Sequence, residues 1–161
     1  VSLDDTMAVS GWIKRGWEAE QPEYLVVDED GLGGGPVDRL REVGVPVIGF
    51  RGGLPAIESD QFFNRRTECY WLIRAELERG GFALPPDDLL LAELTAIRYT
   101  YTSKGQIRLE DKAETMKRLG RSPDRADAVM MTFAVGPAGA ARSVATQALL
   151  GEPRQSSEAE W

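Results

Sequence analysis

Apolar residues recur along this chain at two periods, and the alternation of those periods predicts the order of its elements. Met7, Val9, Trp12, Ile13 and Trp17 follow a helical spacing to about residue 19, with Ser2 or Asp4 as the cap and Pro22 as the stop. Tyr24 to Val27 is a short apolar run broken off by acids and glycines, the pattern of a buried parallel strand. Gly31 to Gly35 read as a loop. Pro36 suits the first position of a helix carrying Val37, Leu40 and Val43, which Gly44 ends. Val45 to Phe50 is a second buried strand closed by Gly52 and Gly53. Helix, strand, helix and strand with short connections define the α/β class.

The next segments keep the helical period for longer. A helix is predicted from about Asp60 to Arg79, offering Phe62, Phe63, Cys69, Trp71, Leu72, Ala75 and Leu77 to the core, and Gly80-Gly81 stop it. Pro85 to Asp88 start another helix that runs through Leu94. Ile97–Tyr101 and Gln106–Leu109 flank Ser103-Lys104-Gly105, a hairpin signal. A charged helix near 111–119 follows, then a break at Gly120 and Pro123, then an apolar helix near 124–134. From Gly136 onward small and polar residues accumulate without period. The expected organisation is therefore a domain over 1–135 and a C-terminal tail over 136–161, flexible or partly helical around Ala141 to Leu150.

Composition removes more chemistry than it suggests. With 161 residues, 42% hydrophobic and 28% charged, the chain is of globular type. No apolar run approaches the ~18 residues of a membrane span, and no signal-peptide core stands at the start. Cys69 is the only cysteine, which excludes an internal disulfide and a thiolate zinc site. The chain holds no histidine, so imidazole-based triads, HExxH metalloproteases and His-rich metal sites are all excluded. Carboxylates, hydroxyls, Lys, Arg and hard metal ions remain. A net charge of −7 argues against general affinity for nucleic acid.

Two acidic constellations stand out. Asp28-Glu29-Asp30 lie where a buried strand ends, and the carboxyl ends of strands are where open α/β sheets bind ligands. Service to a turn explains the same acids equally well. The glycines that follow are not a dinucleotide fingerprint, because Pro36 stands where the third glycine belongs; nor does a Gly-Lys-Ser/Thr follow. In Ser122-Pro123-Asp124-Arg125-Ala126-Asp127, Asp124 and Asp127 share one helix face, although a Ser122 cap with dipole-favoured acids is a complete structural account. Arg65 and Arg66, and the basic stretch Lys112, Lys117, Arg118 and Arg121, are weaker candidates for phosphate contact, since solvated helix faces look alike. Cys69 reads as core.

In order along the chain, several segments resemble the nuclease domain of phage terminase large subunits. They are Tyr24 to Leu40 with its Asp28-Glu-Asp-Gly core, Phe63-Asn64-Arg65-Arg66-Thr-Glu68 followed by Trp71, Leu84-Pro-Pro-Asp-Asp88, Leu91-Ala-Glu93-Leu94, Leu109-Glu110-Asp-Lys112, and Ser122-Pro-Asp124-Arg-Ala-Asp127-Ala128 with Thr132-Phe133. The resemblance spans roughly residues 1 to 135. It implies a ribonuclease H-like fold, a mixed sheet flanked by helices, and a metal-dependent endonuclease that cuts concatemeric viral DNA by two-metal phosphodiester hydrolysis. It implies magnesium or manganese as cofactor, Asp28 as the strand-end ligand, Asp124 as the late helical ligand, and Asp127 as its neighbour or alternate.

The partners implied are double-stranded DNA, the terminase ATPase domain, the small terminase subunit and the portal, in the cytoplasm of a host cell and away from membranes. The family's first acid lies on an early central strand that this chain is expected to lack, so weak or no cleavage by the chain alone is expected. An exposed sheet edge would then favour a homodimer or capture of another segment. Two rivals remain: a non-catalytic remnant or assembly module contacting motor or portal, and another ribonuclease H-like nuclease such as a resolvase or exonuclease.

Overall fold

A computed structural model describes residues 5–30 and 35–135; the predicted loop at 31–34 and the tail at 136–161 lie outside the described residues. The first helix, α1 (Thr6–Glu20), is capped by Asp5, whose side chain accepts from the backbone of Met7 and Ala8, and it ends at Gln21 in the left-handed region. Ile13 and Trp17 of α1 pack on Val37, Leu40, Val45 and Val47, while Met7 and Trp12 stay exposed. β1 (Val26–Asp28) and β2 (Ile48–Phe50) pair in parallel around α2 (Gly35–Glu42), with Val26 opposite Ile48 and Asp28 opposite Phe50. Both strands are shorter than the apolar runs that predict them.

Helix α3 (Arg65–Arg79) begins five residues later than its periodicity suggests. The backbone of 61–63 has another use: Phe63 donates to Ile107 at 2.9 Å, and Ile107 donates to Gln61 at 2.8 Å. Asn64 then caps α3 by accepting from the Thr67 amide and hydroxyl. α4 (Asp88–Ala96), capped by Asp87, leads to the antiparallel hairpin of β3 (Tyr99–Tyr101) and β4 (Ile107–Leu109). α5 (Lys112–Leu119), stopped by Gly120 at φ 72°, and α6 (Asp124–Thr132) complete the described chain.

The strands form two separate two-stranded sheets among the described residues, where the resemblance implies one mixed sheet. Both ladders border a single apolar cluster instead. Cys69, Tyr70 and Ile73 of α3 and Ala126 and Met130 of α6 supply it, with Phe50 and Leu109 from the strands. No described helix is long and apolar enough to cross a membrane.

Candidate functional site

The three acids at the end of β1 do different work. Asp28 is half-buried; its Oδ1 accepts from the Asp30 amide at 3.0 Å, and its other oxygen has no hydrogen-bond partner among the described residues. Glu29 bonds Arg51 Nε at 2.7 Å across the strand ends. Its carboxyl group lies close over Gly49, where a Cβ would fall 2.8 Å from it and require the Glu29 side chain to shift. Asp30 accepts from the Gly53 amide at 3.3 Å. Glu29 and Asp30 thus fasten the loop to the segment after β2, whereas Asp28 bonds only within its own turn among the described residues.

The second constellation sits on α6, and its cap is not Ser122. Pro123 occupies the N-cap position with no side-chain cap bond, and the Ser122 hydroxyl donates instead to Asp124. The orphan amides at this helix start are met from α4: Glu93, with no exposed surface, accepts from the Ala126 amide at 2.9 Å and pairs with Arg121. Asp124 is exposed at the first helical position, and only one of its oxygens has a partner among the described residues.

Asp127, one turn later, is buried at 9% exposure. The Tyr70 hydroxyl donates to its Oδ1 at 2.7 Å, Arg66 Nε lies 3.8 Å from the same oxygen, and Lys112 Nζ sits 2.7 Å from Oδ2. Burial first, and the Asp127 charge second, raise the pKa of Tyr70, so its hydroxyl stays a donor.

These placements test the metal chemistry expected from the sequence. Among the described residues no group of three or more acidic, His or Cys side chains gathers closely enough to hold a metal ion. Among the described residues Asp28 and Asp124 each have one oxygen without a hydrogen-bond partner, as do Glu29 and Asp30 beside Asp28, while both oxygens of Asp127 are taken. Carboxylate oxygens are the donor type that hard divalent ions take, through one or two carboxylates and several retained waters. The two acid-bearing elements are neighbours, since α6 packs against β1.

The predicted basic contacts separate on folding. Arg65 is buried against Glu68, a carboxylate that also accepts from the amides of Ile57 and Glu58 at 2.8 and 3.1 Å. Arg118 holds Glu110 through two bonds of 2.7 Å, and Arg121 serves Glu93. Arg66 lies over the Tyr70 ring at 5.1 Å. Lys112 and Lys117 remain as partly exposed ammonium groups, the second paired with Glu114 at 2.5 Å. Burial pushes the Cys69 thiol up to about 12, in keeping with a core residue.

Sequence reasoning missed Tyr70, Glu68, Glu93 and Glu110, the polar groups that organise the site. The available signal was an acid inside an apolar helical run, as in Leu91-Ala-Glu93-Leu94, where a solvated position is not expected.

No known family profile matches the sequence, and no curated protein matches it. Solved structures do. The nuclease domain of the large terminase subunit of bacterial virus Sf6 superposes with a TM-score of 0.64 at 24% identity, covering 79% of this chain and 71% of that one. A lysine-to-alanine mutant of that domain with manganese gives 0.64 at 23% identity, covering 79% and 72%. A mutant of the same subunit with calcium gives 0.61 at 24% identity, covering 79% and 71%. The fold of this chain is therefore similar to that of the Sf6 terminase nuclease domain, within the α/β class that the ordered sequence segments imply.

Proposed function

We propose that the chain is a metal-dependent nuclease domain that hydrolyses DNA phosphodiester bonds within a viral packaging terminase. One observation carries the reading. On a fold similar to that of a terminase nuclease domain, Asp28 ends a strand and Asp124 starts the helix packed against that strand, each with one carboxylate oxygen unpartnered among the described residues. The neighbouring structures with manganese and calcium support a divalent ion as the cofactor.

Asp28 and Asp124 would hold the ion, which when bound supplies activation of a water and charge stabilisation of the leaving oxygen. Asp28 is kept on a rigid strand end by the Asp30 amide, and Asp124 on a helix start fixed by Glu93. Lys112, whose ammonium group sits beside Asp127, and the exposed Lys117 on the same helix are suited to phosphate oxygens of the DNA backbone. In this reading the acidic balance of the chain makes affinity for bare DNA weak and salt-sensitive. DNA would be delivered by the ATPase domain, with the small subunit and portal as further partners in the host cytoplasm.

Nicking of supercoiled plasmid in manganese or magnesium is the test. Weak nicking at most is expected of the chain alone, and Asp28→Asn and Asp124→Asn are each expected to abolish what there is. Equal nicking by Asp124→Asn and the parent chain would remove that residue from the site.

The lack of any group of three or more metal-ligating side chains among the described residues favours a second reading, a non-catalytic module contacting motor or portal. Absence of nicking in both metals together with retained Mn2+ binding would select it. In either reading the edges of the β1–β2 ladder, unpaired among the described residues, are where a second copy would pair, which sedimentation measures directly.

A further inference from the structure

Two segments carry the candidate ligands, and they touch the same turn of a third element. The Asp28–Asp30 loop is tied to the glycines after β2, where the Gly53 amide donates to Asp30 Oδ2 at 3.3 Å. Those glycines are tied to α3, because the Arg66 amide donates to the Gly52 carbonyl at 3.0 Å. One turn further along α3, the Tyr70 hydroxyl donates to Asp127 at 2.7 Å and so fastens α6. Asp124 stands one turn before Asp127 on that helix. Arg66 completes the bracket: its guanidinium lies over the Tyr70 ring, 3.8 Å from Asp127 through Nε, and Nε and Nη2 are buried without a hydrogen-bond partner.

The geometry points to Tyr70 as the positioning residue of the metal site: by pinning Asp127 to α3, it sets where Asp124 stands relative to Asp28. This assignment rests on the nuclease reading above. It also gives Asp127 a role that needs no direct metal bond. A buried carboxylate with both oxygens engaged and two cations beside it anchors a helix better than it ligates an exchangeable ion. Groups behind the ligands commonly change metal affinity by about 10- to 100-fold without touching the ion.

Titration of the whole chain with Mn2+, followed by calorimetry and by the EPR signal of free Mn2+, tests the assignment. Binding by the parent chain, lost in Asp28→Asn and in Asp124→Asn, establishes the site. Tyr70→Phe is then expected to weaken Mn2+ binding about tenfold while keeping the helical circular dichroism of the parent. Tyr99→Phe, a tyrosine outside the bracket, should bind as the parent does.

A merely structural hydroxyl predicts otherwise: lower thermal stability with unchanged Mn2+ affinity of the folded protein. That result overturns the positioning role and leaves the metal site standing. No Mn2+ binding by the parent chain, or binding indifferent to both aspartates, overturns the nuclease reading and the positioning role with it. Should Tyr70→Phe fail to fold, Arg66→Lys decides, since it keeps the charge and the backbone bond to Gly52 but loses the planar contact with Tyr70 and Asp127. Affinity lowered several-fold supports the bracket, and parent-like affinity overturns it.

Discussion

Glu93 and Ala126 meet across 33 residues of sequence: a carboxylate without exposed surface accepts the backbone amide of Ala126 at 2.9 Å and so caps the helix that carries both late aspartates. Its charge is balanced by Arg121. Removing the carboxylate leaves an uncapped helix start and an unpaired cation, so Glu93→Ala is expected to lose about 3 kcal/mol in urea unfolding. Glu93→Gln, which can still accept from Ala126, should lose less. Equal losses would show that the charge, not the cap, matters.

Asp124 and Asp127 should separate cleanly in a metal-free stability measurement. Asp124 is exposed and its loss should shift the melting temperature little in EDTA, whereas Asp127→Asn removes a buried charge between Lys112 and Arg66. A destabilisation of about 2 kcal/mol is expected for Asp127→Asn in EDTA. Added Mn2+ should raise the melting temperature of the parent chain, because a ligand that binds only the folded state stabilises it, and should leave Asp28→Asn and Asp124→Asn unmoved.

Acid sensitivity has a named source in Glu110. The Arg118 guanidinium, followed by the Thr115 hydroxyl and the Arg98 amide, lowers its pKa to about 2 against the cost of burial. A depressed carboxyl contributes stability above its unfolded pKa of about 4.5 and loses it as pH falls towards the folded value. Thermal unfolding at pH 7, 4.5 and 2.5 should show Glu110→Gln less stable than the parent at pH 7, with the difference shrinking below pH 4.5. A constant difference across that range would reject the pair as the origin.

Gly52 is the joint between the acidic loop and α3. A Cβ there would lie 3.2 Å from Arg66 Cβ and 3.4 Å from the Phe50 ring, so Gly52→Ala must push Arg66 outward by a few tenths of an ångström. A cost of about 1 kcal/mol in urea unfolding is expected, accompanied by weaker Mn2+ binding. Gly53→Ala meets open space and serves as the control for both measurements.

Much of the fold could be read from local signals. The order of helices, the parallel pairing of two short apolar runs and the hairpin around Lys104-Gly105 follow from periodicity and turn chemistry that each segment carries within itself. Errors arose where a long-range partner outcompeted a local one. The start of α3 moved because the backbone of 61–63 pairs with β4, and the α6 cap passed from Ser122 to Glu93 because a buried acid on α4 reaches the amide first. Arg65, expected at a solvated helix face, is instead buried beside Glu68 one turn along the same helix.

The candidate site divides along the same line. Sequence alone placed Asp28 at a strand end and Asp124 and Asp127 on one helix face, since strand and helix periods fix where neighbouring side chains project. Which of the two helical acids keeps a free oxygen was decided only by tertiary structure. Tyr70, 57 residues from Asp127, donates to one of its oxygens, and Lys112 and Arg66 arrive from two other helices. Ionised carboxylates accept whatever donors folding brings within reach, and burial of an unsatisfied one is costly, so the same residue type becomes an anchor in the interior and a candidate ligand at the surface.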